Sequence, residues 1–110
     1  MLSVVENAKD VPFEFKRVFV VSDSFGCVRG GHRNKNTTLL LFSIGGDFEI
    51  FVDNGKEKRT YILNHLAQGL VVEQEDWHTM KALSKESTLI IIASTPYDLA
   101  DYIDQPYDDA

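Results

Sequence analysis

Leu39-Leu40-Leu41-Phe42-Ser43-Ile44, Gly45-Gly46-Asp47, Phe48-Glu49-Ile50-Phe51-Val52 and Asp53-Asn54-Gly55 follow one another without interruption. A continuous apolar run closed by two glycines and an aspartate reads as a strand. Phe48, Ile50 and Val52 then recur at every second position, the period of a pleated strand. Asp53-Asn54-Gly55 marks a hairpin, because Asn-Gly accepts positive φ at both central positions. The return strand places Lys58, Thr60 and Ile62 on one face and Arg59, Tyr61 and Leu63 on the other. Short strands joined by Gly, Asn and Asp turns predict an all-β fold, an antiparallel sandwich or small barrel.

The flanks repeat the pattern. Towards the N-terminus, Val4-Val5 suits a short first strand, and Asn7 to Asp10 reads as a turn before Pro12. Phe13, Phe15, Arg17 and Phe19 alternate with Glu14, Lys16 and Val18 as a strand does. Arg17 interrupts the apolar face, which suits either an edge position or a side chain aimed into a polar cavity. Ser22 to Gly26 is a turn leading into a loop. Towards the C-terminus, Asn64 to Gly69 is a turn, Leu70-Val71-Val72 a strand, Glu73 to Asp76 a polar loop, and Trp77 to Leu83 and Leu89 to Ala93 two more strands.

With 110 residues the chain suits one domain, 1–110, with an irregular acidic tail over 97–110. Five aspartates and no Lys or Arg fall in 98–110; setting them aside turns the net charge of −6 into −1. A near-neutral body with an acidic tail argues against nucleic acid as a partner. No apolar run reaches the length of a membrane helix, and the first residues lack the pattern of a signal peptide. The lone Cys27 excludes an internal disulfide and offers no metal-binding Cys pair. A cytoplasmic protein is expected, with no membrane contact.

Chemistry concentrates in Gly26-Cys27-Val28-Arg29-Gly30-Gly31-His32-Arg33-Asn34-Lys35. Glycines let a backbone approach a ligand closely, and cations around an imidazole suit an anionic substrate with proton transfer nearby. A merely solvated loop is the competing reading. Cys27 reads as a packing residue, His65 as a surface residue, Trp77 and Met80 as core or cavity wall, and Lys56 to Arg59 as a charged edge.

The spacing Gly26-x5-His32-x-Asn34-x3-Thr38-x6-Gly45 resembles the first motif of the cupin superfamily, with His78 in the place of the later motif's histidine. Asn34 and Thr38 stand where that motif carries a histidine and a glutamate. Two histidines fall short of the three ligands a catalytic metal needs, so no metal and no other cofactor is expected. Taken with Phe13 to Phe19, Gly69-Leu70, Trp77-His78-Thr79-Met80 and Tyr97-Asp98-Leu99-Ala100-Asp101-Tyr102-Ile103, the chain resembles the WxcM-like sugar 3,4-ketoisomerases. That resemblance implies a jelly-roll cupin barrel, a homodimer exchanging N-terminal strands, and a dTDP-linked keto-sugar as partner. It further implies movement of a carbonyl between C4 and C3 of dTDP-4-keto-6-deoxyglucose, in amino-sugar synthesis for surface glycans. His32, Asn34 and His78 are the catalytic candidates; Arg17, Arg29, Arg33, Lys35 and Trp77 are the substrate-binding ones. Asn34 replaces the family's second histidine and cannot act as a base, and Phe19 and Val20 stand where the family favours tyrosines. Either His32 or His78 carries the proton, or the barrel binds a nucleotide sugar without turning it over.

Overall fold

The computed structural model describes residues 10–107. Nine strands follow in order: β1 (Arg17–Ser22), β2 (Val28–Asn34), β3 (Leu39–Gly45), β4 (Phe48–Asp53), β5 (Lys58–Leu63), β6 (Leu70–Val72), β7 (Trp77–Ala82), β8 (Thr88–Ala93) and β9 (Tyr102–Ile103). They build two antiparallel sheets, ordered β1-β8-β3-β6 and β5-β4-β7-β2-β9. No helix among the described residues is long and apolar enough to cross a membrane.

The β3 run is continuous because it is covered twice. Leu39 and Leu41 point between the sheets and join Phe48, Ile50, Leu89 and Ile91 in the main core. Leu40 and Phe42 point the other way, into a second cluster with Val11, Ile92, Phe13 and Phe15. Each fully buried Leu or Ile contributes about 1.5–3 kcal/mol, so both faces of the strand work for stability. The Phe13–Phe15 alternation is therefore real, but it belongs to a strap. Pairing with β8 begins at Arg17, opposite Ala93, and residues 13–16 cross the outer face of the sheet.

Four other readings change. The segment 26–35 is mostly strand, since β2 pairs with β7 on one side and β9 on the other. The hairpin after β4 does not have positive φ at both Asn54 and Gly55; only Gly55, at +90°, does. Asn54 Oδ1 instead accepts from the backbone N–H groups of Lys56 and Glu57, at 2.9 and 2.8 Å, which makes a longer turn. The acidic tail is ordered at its start: Leu99–Asp101 forms a 3₁₀ turn, and Tyr102–Ile103 pairs with Asn34 and Arg33. Cys27 is exposed rather than packed. His65 is exposed as expected, and Val4-Val5 lies outside the described residues.

Candidate active site

The site is made by a fault in β2. Arg29 pairs with Met80, Gly30 with Thr79, and then the register slips so that His32 pairs with His78. Arg29 and His32 are three apart and would face opposite sides of a regular strand. The extra residue restores parity, and both side chains turn towards the same cavity. Glycine is required here. Gly30 and Gly31 have φ of +85° and +82°, and a Cβ on Gly30 would lie 2.9 Å from the His78 carbonyl oxygen.

The resulting cavity, about 270 Å³, opens between the sheets. Arg17, Phe19 and Val21 line it from β1, Arg29, His32 and Asn34 from β2, His78 and Met80 from β7, and Tyr102 from β9. It therefore brings together five of the expected site residues: Arg17, Arg29, His32, Asn34 and His78. Arg33, Lys35 and Trp77 do not line it. Past the slip, His32 and Asn34 face inward, which turns their neighbours outward. Arg33 stacks over Tyr107 at 4.7 Å, Lys35 is exposed, and the Trp77 indole N–H donates to the Asp104 carbonyl at 2.9 Å.

The two imidazoles meet edge to face, with ring centroids 5.1 Å apart. His78 Nδ1 lies 3.0 Å from the Asp76 carbonyl oxygen, which can only accept, so Nδ1 carries the proton. Nε2 is then a bare lone pair, buried without a hydrogen-bond partner among the described residues. Burial drives the His78 pKa down from 6.5 to about 4, against the hydrogen bond to Asp76. His32 is also held below the ordinary histidine value, first by burial and also by Arg17; Asp104, the Gly30 backbone and Asp101 oppose this. Both rings are thus neutral near pH 7. They differ in reach: His78 is 0% exposed, whereas His32 is only half-buried and meets the cavity.

That neutrality has a measurable consequence. The unfolded chain takes up a proton on His78 near pH 6.5, and the folded one only near pH 4. Between those values the unfolded state binds more protons, so stability falls as pH drops through this window, by up to about 3 kcal/mol. Thermal unfolding from pH 7 to 4 is expected to show this loss, and His78→Gln to flatten it. Parallel curves for both proteins would clear His78.

Asn34 has a different occupation from proton transfer. Its Nδ2 donates to Asp101 Oδ2 at 2.9 Å; Asn36 N–H donates to Oδ1 at 2.7 Å, and the Thr37 hydroxyl to Oδ2. Burial tends to raise the Asp101 pKa, but the donors Thr37, Asn34, Asn36 and Lys35 outweigh it and hold the carboxyl below its usual range. This knot ties the C-terminal segment to the end of β2 and sets Tyr102 beside His32, with ring centroids 4.3 Å apart. Arg17 Nη1 donates to the Tyr102 oxygen at 3.3 Å, while Arg17 Nε is buried without a hydrogen-bond partner among the described residues. A buried guanidinium N–H without a partner is costly. Neither Tyr102 nor Asp101 emerged as a site residue from the sequence; the only signal was their place in the Tyr-Asp-x-x-Asp-Tyr-Ile ending. Among the described residues, no three His, Cys, Asp or Glu side chains are grouped to hold a metal ion.

Two facing antiparallel sheets around a cavity of neutral imidazoles and guanidinium groups define a small β-barrel suited to acid–base chemistry on an anionic ligand. The family model "FdtA: WxcM-like, C-terminal" matches residues 1–109, and the chain belongs to that family. It is 34% identical over 105 residues to the TDP-4-oxo-6-deoxy-alpha-D-glucose-3,4-oxoisomerase of Aneurinibacillus thermoaerophilus, covering 94% of this chain and 76% of the relative. The WlaRB TDP-quinovose 3,4-ketoisomerase of Campylobacter jejuni superimposes with a TM-score of 0.88 at 36% identity, over 94% of this chain and 81% of the other. A histidine-to-asparagine mutant of the 3,4-ketoisomerase QdtA from Thermoanaerobacterium thermosaccharolyticum, in complex with TDP-4-keto-6-deoxyglucose, matches at 0.87 and 28% identity, over 94% and 76%.

Proposed function

We propose that this chain is a TDP-sugar 3,4-ketoisomerase that moves the carbonyl of a TDP-4-keto-6-deoxyhexose from C4 to C3. The observation that carries the reading is His32, uncharged and lining a cavity that Arg17 and Arg29 also line. A hydrogen on the carbon beside a carbonyl is acidic because the resulting charge spreads onto oxygen. His32 removes the C3 proton, the enediol forms, and the proton returns at C4. Donors facing the carbonyl oxygen stabilise the charge that develops there; Arg17 is placed for this. His78 touches no solvent and backs the His32 ring rather than the sugar. Asn34 shapes the wall through its bond to Asp101.

The cavity has room for the hexose but not for the whole nucleotide, so the diphosphate leaves through the mouth, past exposed Arg29. Arg29→Ala is expected to weaken TDP binding roughly 10- to 100-fold, since a charge-assisted hydrogen bond contributes about 1.5–3 kcal/mol. Unchanged affinity in titration calorimetry would remove Arg29 from the site.

The reading extends to a cytoplasmic homodimer serving surface-glycan sugar synthesis. Val18 and Val20, 52% and 54% exposed on the edge strand β1, support a second copy covering that sheet face. Asn34 favours a second reading, a barrel that holds the nucleotide sugar without turnover. Incubation with TDP-4-keto-6-deoxyglucose separates the two. The 3-keto sugar in the NMR spectrum is the expected result; intact substrate with TDP still bound would select the second reading.

A further inference from the structure

We propose that Tyr102 is a catalytic residue, the proton donor and acceptor that works on the sugar oxygens while His32 works on the carbons. This rests on the isomerase reading. Carbonyl transfer needs two proton sites: one exchanging with C3 and C4, and one with the oxygens on those carbons. His32 can serve only one at a time. Of the other groups lining the cavity, the arginines stay protonated. Asn34 carries no exchangeable acid, and His78, 0% exposed, gives its one N–H to the Asp76 carbonyl and has no proton to offer the sugar. Among the described residues that line the cavity, Tyr102 is left as the O–H donor.

Its geometry fits the task. The phenol ring packs on His32 at 4.3 Å, so one substrate can touch both groups. The phenol oxygen accepts from Arg17, which has no lone pair to take a hydrogen bond in return. The hydroxyl hydrogen is therefore not spent on Arg17, and the guanidinium faces the oxygen on which charge appears when that hydrogen leaves. The backbone is fixed on both sides: Tyr102 pairs with Asn34, and the preceding Asp101 is tied by Asn34, Asn36 and Thr37. Such support suits a group that must hold its position.

The step balances. His32 takes the C3 proton, the C–H electron pair becomes the C3–C4 double bond, and the carbonyl pair moves to O4, which takes the Tyr102 proton. The phenolate then removes the proton from the C3 hydroxyl, whose electrons form the new carbonyl. The double-bond pair takes the proton from His32 at C4. Both residues return to their starting states, and no oxidant is consumed.

Tyr102→Phe keeps the ring against His32 and removes only the hydroxyl. On TDP-4-keto-6-deoxyglucose it is expected to lower kcat about 100-fold, with KM, TDP affinity and thermal midpoint close to wild type. Wild-type turnover by this variant would overturn the role of Tyr102 and leave the isomerase reading standing. A loss of TDP affinity with kcat intact would also overturn it, making the hydroxyl a binding contact. No product from the wild-type protein would end the isomerase reading, and the Tyr102 role with it. Difluorotyrosine at position 102 keeps the hydroxyl while making it more acidic. It should shift the pH profile of kcat, and an unmoved profile would count against the proposal even if the phenylalanine variant fails to fold.

Discussion

Replacing His32 with glutamine is expected to slow carbonyl transfer by about 10²- to 10⁴-fold, the usual contribution of a positioned acid–base group. Glutamine is close in size and polar at the same place, but its amide cannot take up a proton near neutral pH. TDP affinity should stay as it is, because the diphosphate is held at the mouth and not at the imidazole. The choice of His32 over His78 rests on reach. Both rings are neutral, but His78 is 0% exposed and spends its Nδ1 proton on Asp76. His78→Gln should therefore change acid stability more than rate. If turnover survives in His32→Gln and dies in His78→Gln, the two roles are reversed, and the cavity must open further than it does here.

Asp101→Ala is expected to cost about 3–5 kcal/mol of stability. The deletion strands the Asn34 amide, frees the Asn36 N–H and takes one partner from the Thr37 hydroxyl, which keeps Thr95 at 2.6 Å; a buried group left unsatisfied costs about 1–3 kcal/mol. The three share one network, so their costs do not simply add. Against a total of about 5–15 kcal/mol for a domain, this is a large fraction. Asp101→Asn keeps an oxygen acceptor and should lose less. The carboxyl is held below its ordinary pKa in the fold, so its contribution is present above the unfolded value near 3.8 and disappears as pH falls through the lower, folded value. Urea unfolding should show a lower midpoint at an unchanged slope; an unchanged midpoint would mean the knot holds nothing together.

The strands were legible where the period-2 pattern was strong, as in Phe48, Ile50 and Val52, or where burial on both faces made a run continuous, as in β3. The β2 segment was not. Its glycines and charges have poor strand propensity, and pairing with β7 and β9 overrides that preference. The register slip at Gly30 is a property of two strands together, so alternation along one strand cannot reveal it. This is why His32 and Arg29 were found as candidates while Arg33 and Lys35, next to them in sequence, turn outward. Trp77 leaves the cavity by plain alternation along β7, as the outward neighbour of His78. Tyr102 and Asp101 escaped notice because β9 has only two residues and draws its position from long-range hydrogen bonds.

The most direct measurement is a crystal structure of the His32→Gln protein with TDP-4-keto-6-deoxyglucose bound. The expected result has the hexose inside the cavity, C3 about 3–3.5 Å from the side chain at position 32, the Arg17 guanidinium on a sugar oxygen, and the diphosphate beside Arg29. A sugar lying outside the space enclosed by β1, β2, β7 and β9, or one that turns C3 away from position 32, would contradict it.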